Sequence, residues 1–250
     1  MKLKLWPAMN EYWLIPIALV TSSISGATGL GGGVILIGIM SSFFNPASLI
    51  PIHGAVQLTS NLSRCVFSMS DLRKDIVYQY MLGASIGAII GSRVVLAIPE
   101  RFLWLALGTF LLVVTWLPLK KILSAIRWKY SVIGGVSTFL ALFVGITGPL
   151  LHPIIMREEL NKHEFIGTEA ACAGFTHFLK IIVFSVLGFS LLSHWKLVAP
   201  MIGASVIGSY IGKQILDKIP QKIFYWVIHG LITILAARML LKYYESLDCL

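Results

Sequence analysis

The chain has 250 residues, 57% hydrophobic and 12% charged, with mean hydropathy +0.84 and a formal net charge of +9. Soluble domains carry about 25% charged residues, so the composition excludes a water-soluble globule and indicates an integral membrane protein. Apolar blocks of roughly twenty residues fit helical spans better than the weak alternation of an outer-membrane barrel. The basic excess fits cytoplasmic loops better than nucleic-acid binding, since no basic patch is interleaved with aromatics.

The N-terminal MKLKLW resembles the start of a signal peptide. The apolar run behind it continues through Met40 without a convincing cleavage site, so it reads as retained. The apolar segments then fall at about 12–44, 50–70, 76–98, 102–119, 130–156, 165–192, 197–216 and 222–241. Asn45-Pro46 is a turn signal, and DLRKD (71–75), Pro99-Glu100-Arg101 and the basic KKILSAIRWK (120–129) break the runs that follow. REELNKHE (157–164), SHWK (193–196) and DKIPQK (217–222) complete the set. The expected class is an all-α polytopic membrane protein of about eight segments, with no second, soluble domain.

The sequence repeats itself. MLGASIGAIIGSRVVLAIP (81–99) matches MIGASVIGSYIGKQILDKIP (201–220), 120 residues apart at Gly83/Gly203 and 121 at Gly91/Gly212. Upstream, GLGGG (29–33) stands 116 residues before GITGP (145–149). Residues 1–119 and 130–250 therefore read as two four-segment repeats, joined by a basic cytoplasmic linker, 120–129.

The first segment of each repeat is too long. About 33 and 27 residues exceed the roughly 20 needed to cross a bilayer. A long segment interrupted by Gly and Pro is a broken helix or a re-entrant hairpin, tolerable only where protein or a water-filled cavity satisfies the freed backbone. Paired interruptions in two repeats are the best sequence pointer to a transporter's binding site. Glycine-rich backbone at a half-helix N-terminus offers N–H groups to an anion. Close helix packing through small residues is the competing explanation.

Under the 116-residue offset Arg64 aligns with Lys180, Asn61 with His177, Gln57 with Ala173 and His53 with Glu169. Their spacing puts each set on one helix face. A charge near the bilayer centre costs about 2.5–3.5 kcal/mol on insertion scales, and bearing it twice points to a small oxyanion between two cations. Alternatives stay open. Arg64 is near enough to Asp71 to snorkel. Lys180 has Glu169 as a possible partner, and His177 is either a helix–helix hydrogen bonder or a proton carrier. Thr59, Ser60 and Ser63 either back-bond within their helix or donate to a ligand. Arg93 marks an interface near the Pro99 turn, and Trp6, Trp13, Trp104, Trp116, Trp128, Trp195 and Trp226 form an aromatic belt at segment ends. Cys65, Cys172 and Cys249 show no CxxC or metal spacing, and the six histidines form no metal motif. No cofactor, metal or catalytic residue is expected.

GLGGG (29–33), its return GITGP (145–149) and the two copies of the GASIGAIIGSRV…IP block resemble the TauE/SafE family of sulfite and organosulfonate exporters, as does LRKDI (72–76). The resemblance covers nearly the whole chain. It implies a two-repeat inner-membrane permease for small sulfur-containing anions, often outward, with Gly29, Gly31, Gly32, Gly33, Gly145, Gly148 and Pro149 as its motif residues. Gly38 stands where family members often carry Pro, and Thr147 where glycine is common. The substrate-binding candidates are these motif residues together with Thr147, Gln57, Asn61, Arg64, His177 and Lys180. Glu169 and His177 are the coupling candidates. The expected partners are a small inorganic or organic anion and the lipid bilayer; nucleic acid is not one, and the oligomeric state is left open.

Two topologies compete. In one, eight segments cross and the repeats are parallel; in the other, 12–44 and 130–156 are re-entrant and the repeats inverted. Cytoplasmic Lys and Arg outnumber external ones eleven to six in both, so the positive-inside rule does not decide. Eight segments, the first of each half broken at its glycines, is the slightly preferred reading. Moving one charge across 100 mV is worth about 2.3 kcal/mol, so a cell negative inside drives anions out, which favours export. A membrane scaffold with no ligand, an anion channel and an intramembrane enzyme are the weaker readings.

Overall fold

The computed structural model describes residues 10–29, 31–95, 128–145, 158, 160–215 and single helical residues within 102–116, 151–155 and 230–245. All regular structure among them is helical. We label the long helices α1 (Leu14–Thr28), α2 (Gly32–Met40), α3 (Pro46–Phe67), α4 (Lys74–Val95), α5 (Lys129–Val144), α6 (Lys162–Val186) and α7 (Trp195–Ile215). By length and apolarity His163–Val186 and Leu191–Ile215 suffice to cross a bilayer. The linker residues 120–127 lie outside the described residues.

Local chemistry sets the helix boundaries. Asn45 caps α3, its side chain accepting from the Ser48 N–H at 3.0 Å, with Pro46 at the first helical position. Asn161 and Glu164 form a capping box at the start of α6. α1 and α5 both stop at a left-handed glycine: Gly29 (φ 77°) accepts the end of α1 and Gly145 (φ 78°) that of α5. A left-handed C-cap costs glycine nothing sterically.

Helix directions follow from which residues touch. Gly208 sits on the Leu19 carbonyl and Gly212 on Gly26, so α1 and α7 run alongside in the same direction. α3 joins them, with Ser60 Oγ 2.9 Å from Ser209 Oγ and Lys213 donating to the Phe67 carbonyl at 2.9 Å. α4 and α5 run together, Gly83 on Ser131 and Gly87 on Gly135. α6 joins this second set, Tyr80 Oη lying 2.9 Å from Thr176 Oγ1. The two sets are antiparallel: along the α3–α6 contact, Gly54 meets Lys180 and Asn61 meets Gly174. Both α1–α7 and α4–α5 are glycine-floored contacts in which a Cβ would strike the facing backbone. Small residues let helices approach where lipid gives no hydrophobic drive to associate.

The segment 12–44 folds back on itself. Gly32 lies against the Thr21 carbonyl and Ser25 Oγ, two turns back along α1. At its far end the Phe44 ring is 6.4 Å from His194, which precedes α7 and so marks the end where α1 began. The two ends of the second long segment lie together. Lys129, at the start of α5, ion-pairs with Glu158. α1, at 15 residues, is only about 22 Å long at 1.5 Å per residue, and the turn at Gly29–Gly31 sends the chain back beside it.

The aromatic belt holds where it is described: Trp13 begins α1 and Trp195 begins α7 at one end, Trp128 begins α5 at the other, each more than half exposed. Trp116 is also exposed, and Trp6, Trp104 and Trp226 lie outside the described residues. Arg93 is exposed near the end of α4, as expected of an interface marker.

Gly203, which matches Gly83 in sequence, has open space around it, whereas Gly87 faces the Gly135 carbonyl. Gly87→Ala should lower stability by about 1–3 kcal/mol through overpacking. Gly203→Ala should leave it unchanged or raise it by up to about 1 kcal/mol. Melting temperatures of the two purified variants check this.

Candidate polar site between the helix tips

α3 and α6 cross in the middle of the bundle and turn their polar stripes inward. His53, Gln57, Asn61 and Arg64 on α3 and Glu169, His177 and Lys180 on α6 are each no more than 6% exposed. Back-bonding holds part of the α3 stripe: Asn61 Nδ2 donates to the Gln57 carbonyl at 2.7 Å and Ser63 to Thr59 at 2.9 Å. Thr59 donates to Ala55 at 3.1 Å, so Thr59 and Ser63 take the intrahelical role and Ser60 the interhelical one.

Each cation goes to the end of a broken helix. Arg64 Nη1 donates to the carbonyls of Ser25 (3.3 Å) and Gly29 (3.2 Å), and Nη2 to Asn61 Oδ1. Lys180 Nζ donates to the Gly145 carbonyl at 3.0 Å. The last carbonyls of a helix have no intrahelical partner and carry the negative end of its dipole, so a buried cation there satisfies both. Snorkelling of Arg64 is not what occurs. Neither Arg64 nor Lys180 is in a salt bridge among the described residues.

The tips also touch the opposite half. A Cβ on Gly29 would meet Glu169 Oε2 at 2.6 Å and Phe165 at 3.2 Å, both on α6. One on Gly145 would strike Ile37 of α2 and lie 3.7 Å from Ile50 of α3. The start of α2 has no side-chain cap; Gly31 (φ 96°) turns the chain into it and Gly33 lies against the Gln57 amide. His53 Nε2 donates to the Gly33 carbonyl at 2.9 Å, which fixes its tautomer when neutral, and its ring is 5.8 Å from that of His177. Gln57 Nε2, His53 Nδ1, His177 Nδ1 and Arg64 Nε are buried without a hydrogen-bond partner among the described residues. Native proteins rarely leave such atoms unpaired without a functional reason.

The family model of the sulfite exporter TauE/SafE matches residues 14–239. The chain belongs to that family. Its members are membrane exporters of sulfite and sulfonates, so the helices and their buried polar core are those of a membrane transport protein. No curated protein and no solved structure matches the chain.

Of the family's motif residues, Gly29, Gly31, Gly32, Gly33 and Gly145 are at the two tips, whereas Thr147, Gly148 and Pro149 lie outside the described residues. Gln57, Asn61, Arg64, His177 and Lys180 all converge on the tips, as do His53 and Glu169. Sequence reasoning passed over Gly54, whose missing side chain makes room for Lys180: a Cβ there would be 2.5 Å from Cε and 3.4 Å from Nζ. A glycine inside a helical run between His53 and Gln57 was the available signal. It also passed over Tyr80, Thr138 and Thr176, whose buried hydroxyls join at 2.8 and 2.9 Å. Cys65 and Cys172 are free thiols, and no metal-ligand cluster occurs among the described residues.

Gly32→Ala pushes a Cβ into the Thr21 carbonyl, a backbone atom that side-chain repacking does not move. It should destabilise the protein by about 1–3 kcal/mol and lower its melting temperature. Gly29→Ala adds left-handed strain of about 1–2 kcal/mol to the contact with Glu169 and should do the same.

Proposed function

We propose that the chain is a permease for small sulfur-containing oxyanions, such as sulfite or an organosulfonate, built from two inverted repeats around one buried site. Residues 1–119 and 130–250 form the repeats, and 120–129 is a cytoplasmic linker at the inner membrane. Several observations support the inversion. α1, α3 and α7 oppose α4, α5 and α6 in direction, and residues 116 apart make equivalent contacts: Arg64 to Gly29 and Lys180 to Gly145, Ile166 beside Gly29 and Ile50 beside Gly145. In this reading 12–44 and 130–156 are re-entrant hairpins, and irregular backbone at membrane depth is tolerated where it lines a polar cavity.

The observation that carries the functional reading is the convergence of the helix ends at Gly29 and Gly145 on buried polar atoms of Gln57 and His177 that have no partner among the described residues. Donors held in a low-dielectric interior suit a small anion that brings several acceptor oxygens. The free N–H groups at the start of α2 add to this field. Inverted repeats let the halves rock about a fixed site, exposing it alternately to each side. The membrane potential, about 2.3 kcal/mol per charge per 100 mV, drives the anion outward, and Glu169 and His177 are the candidates for proton linkage.

Thermal shift of the purified protein tests this with sulfite, sulfoacetate, thiosulfate, sulfate and chloride. A ligand at 100 times its Kd stabilises by about 2.7 kcal/mol. Selective stabilisation by one sulfur oxyanion is expected. Equal indifference to all five would turn the reading to a membrane scaffold.

A further inference from the structure

Arg64 and Lys180 hold equivalent places, yet their surroundings differ. Arg64 is tied to three acceptors, the Ser25 and Gly29 carbonyls and Asn61 Oδ1, and only its Nε is without a partner among the described residues. Glu169 reaches the same tip, its Oε2 2.6 Å from the place of a Gly29 Cβ, and its carboxylate lies in the field of Arg64. The Gly29 tip therefore brings together one cation and one carboxylate.

The Gly145 tip is built otherwise. Lys180 has one hydrogen-bond acceptor among the described residues, the Gly145 carbonyl. An ammonium has three N–H donors, so two are left for other groups. The ionisable groups that face it are imidazoles. His53 and His177 both lie in its field, and Gln57 is one turn along α3 from His53. Where the Gly29 tip has Glu169, the offset places His53 here. No carboxylate is within ion-pair distance of Lys180 among the described residues. His177 Nδ1 and Gln57 Nε2 are buried without a partner among the described residues.

We propose that the two equivalent cations have divided their roles: Lys180 is the cation that contacts the transported oxyanion, and Arg64 is a fixed brace for the first hairpin. Charge decides between the tips. Interaction between unit charges is several-fold stronger in a protein interior than in water, and a site with an unbalanced cation attracts an anion where a balanced pair does not. Charge-assisted bonds to an anion are about twice as strong as neutral ones, so the free N–H groups of Lys180 gain more from an oxyanion than from further carbonyls. Arg64 is in the geometry of a C-terminal clamp: Nη1 donates to two carbonyls of one helix end while Nη2 holds Asn61 Oδ1, so one planar group ties the helix end to α3. The proposal rests on the permease reading and assigns the charge within its site.

Calorimetric titration of the full-length protein with sodium sulfite tests it, alongside unliganded melting temperatures. Lys180→Gln should weaken sulfite at least tenfold, and Lys180→Arg should recover most of that loss by restoring the charge. Gly54→Ala removes no charge and favours the helix, but displaces Cε of Lys180; it should weaken sulfite several-fold. Arg64→Lys should lower the unliganded melting temperature while sulfite Kd stays within threefold of the parent. Equal weakening by Lys180→Gln and Arg64→Lys, or wild-type affinity in Lys180→Gln, overturns the division of roles. Should Lys180→Gln fail to fold, unchanged sulfite affinity in Gly54→Ala overturns it instead. A parent protein that binds no sulfur oxyanion overturns this proposal and the permease reading together.

Discussion

A helix that stops inside a membrane protein leaves carbonyls that water does not reach. α1 stops at Gly29 and α5 at Gly145, and both ends are buried in the bundle. Unsatisfied backbone groups in that setting cost several kcal/mol each. The chain answers with a buried cation at each end, Arg64 on α3 and Lys180 on α6. The charge and the broken backbone stabilise each other: the cation needs acceptors to be held at depth, and the helix end needs donors. Much of the arrangement of the core follows, because α3 and α6 must cross where both tips are within reach of their side chains.

Glycine solves two problems in this fold. At Gly29, Gly31 and Gly145 it permits positive φ, so that the chain turns within a few residues. At Gly32 and Gly87 it permits contact with a neighbouring carbonyl at a distance no Cβ allows. The first use ends α1 and α5 and turns the chain out of them, and the second seats α2 against α1 and α4 against α5. Without the turn the polar stripes have no backbone to meet. Without the close approach α2 does not fold back along α1 to bring Gly33 beside Gln57 and His53.

Much of this was legible in the sequence. The excessive length of 12–44 and 130–156 showed that those segments are interrupted. The spacing of His53, Gln57, Asn61 and Arg64 showed an inward polar face, and Asn45-Pro46 showed where α3 begins. The reversal after Gly29 was not legible. Hydropathy measures how much apolar chain there is, not which way it runs, and the Lys and Arg balance is eleven to six under both topologies. What shows the reversal is the contact of Gly32 with the carbonyl of Thr21, eleven residues back in the same segment, which hydropathy does not register. The cations were legible as charges, but the carbonyls that hold them were not, since every residue has one. Gly83 and Gly203 match as letters, yet only Gly83 meets a neighbouring helix, because an extra residue between Gly203 and Gly208 turns the former away.

The central claim is that the two halves enter from opposite sides and that each first segment returns to the side it came from. Single cysteines at Glu11, Ala47, Lys74, Trp128 and His163, in a background lacking Cys65, Cys172 and Cys249, test it most directly by labelling intact cells with a membrane-impermeant maleimide. The account predicts that positions 11 and 47 label from one side, and that 74, 128 and 163 are all protected until the membrane is opened. Labelling of 11 and 47 from opposite sides, or of 128 and 163 from opposite sides, would contradict it and restore eight crossings.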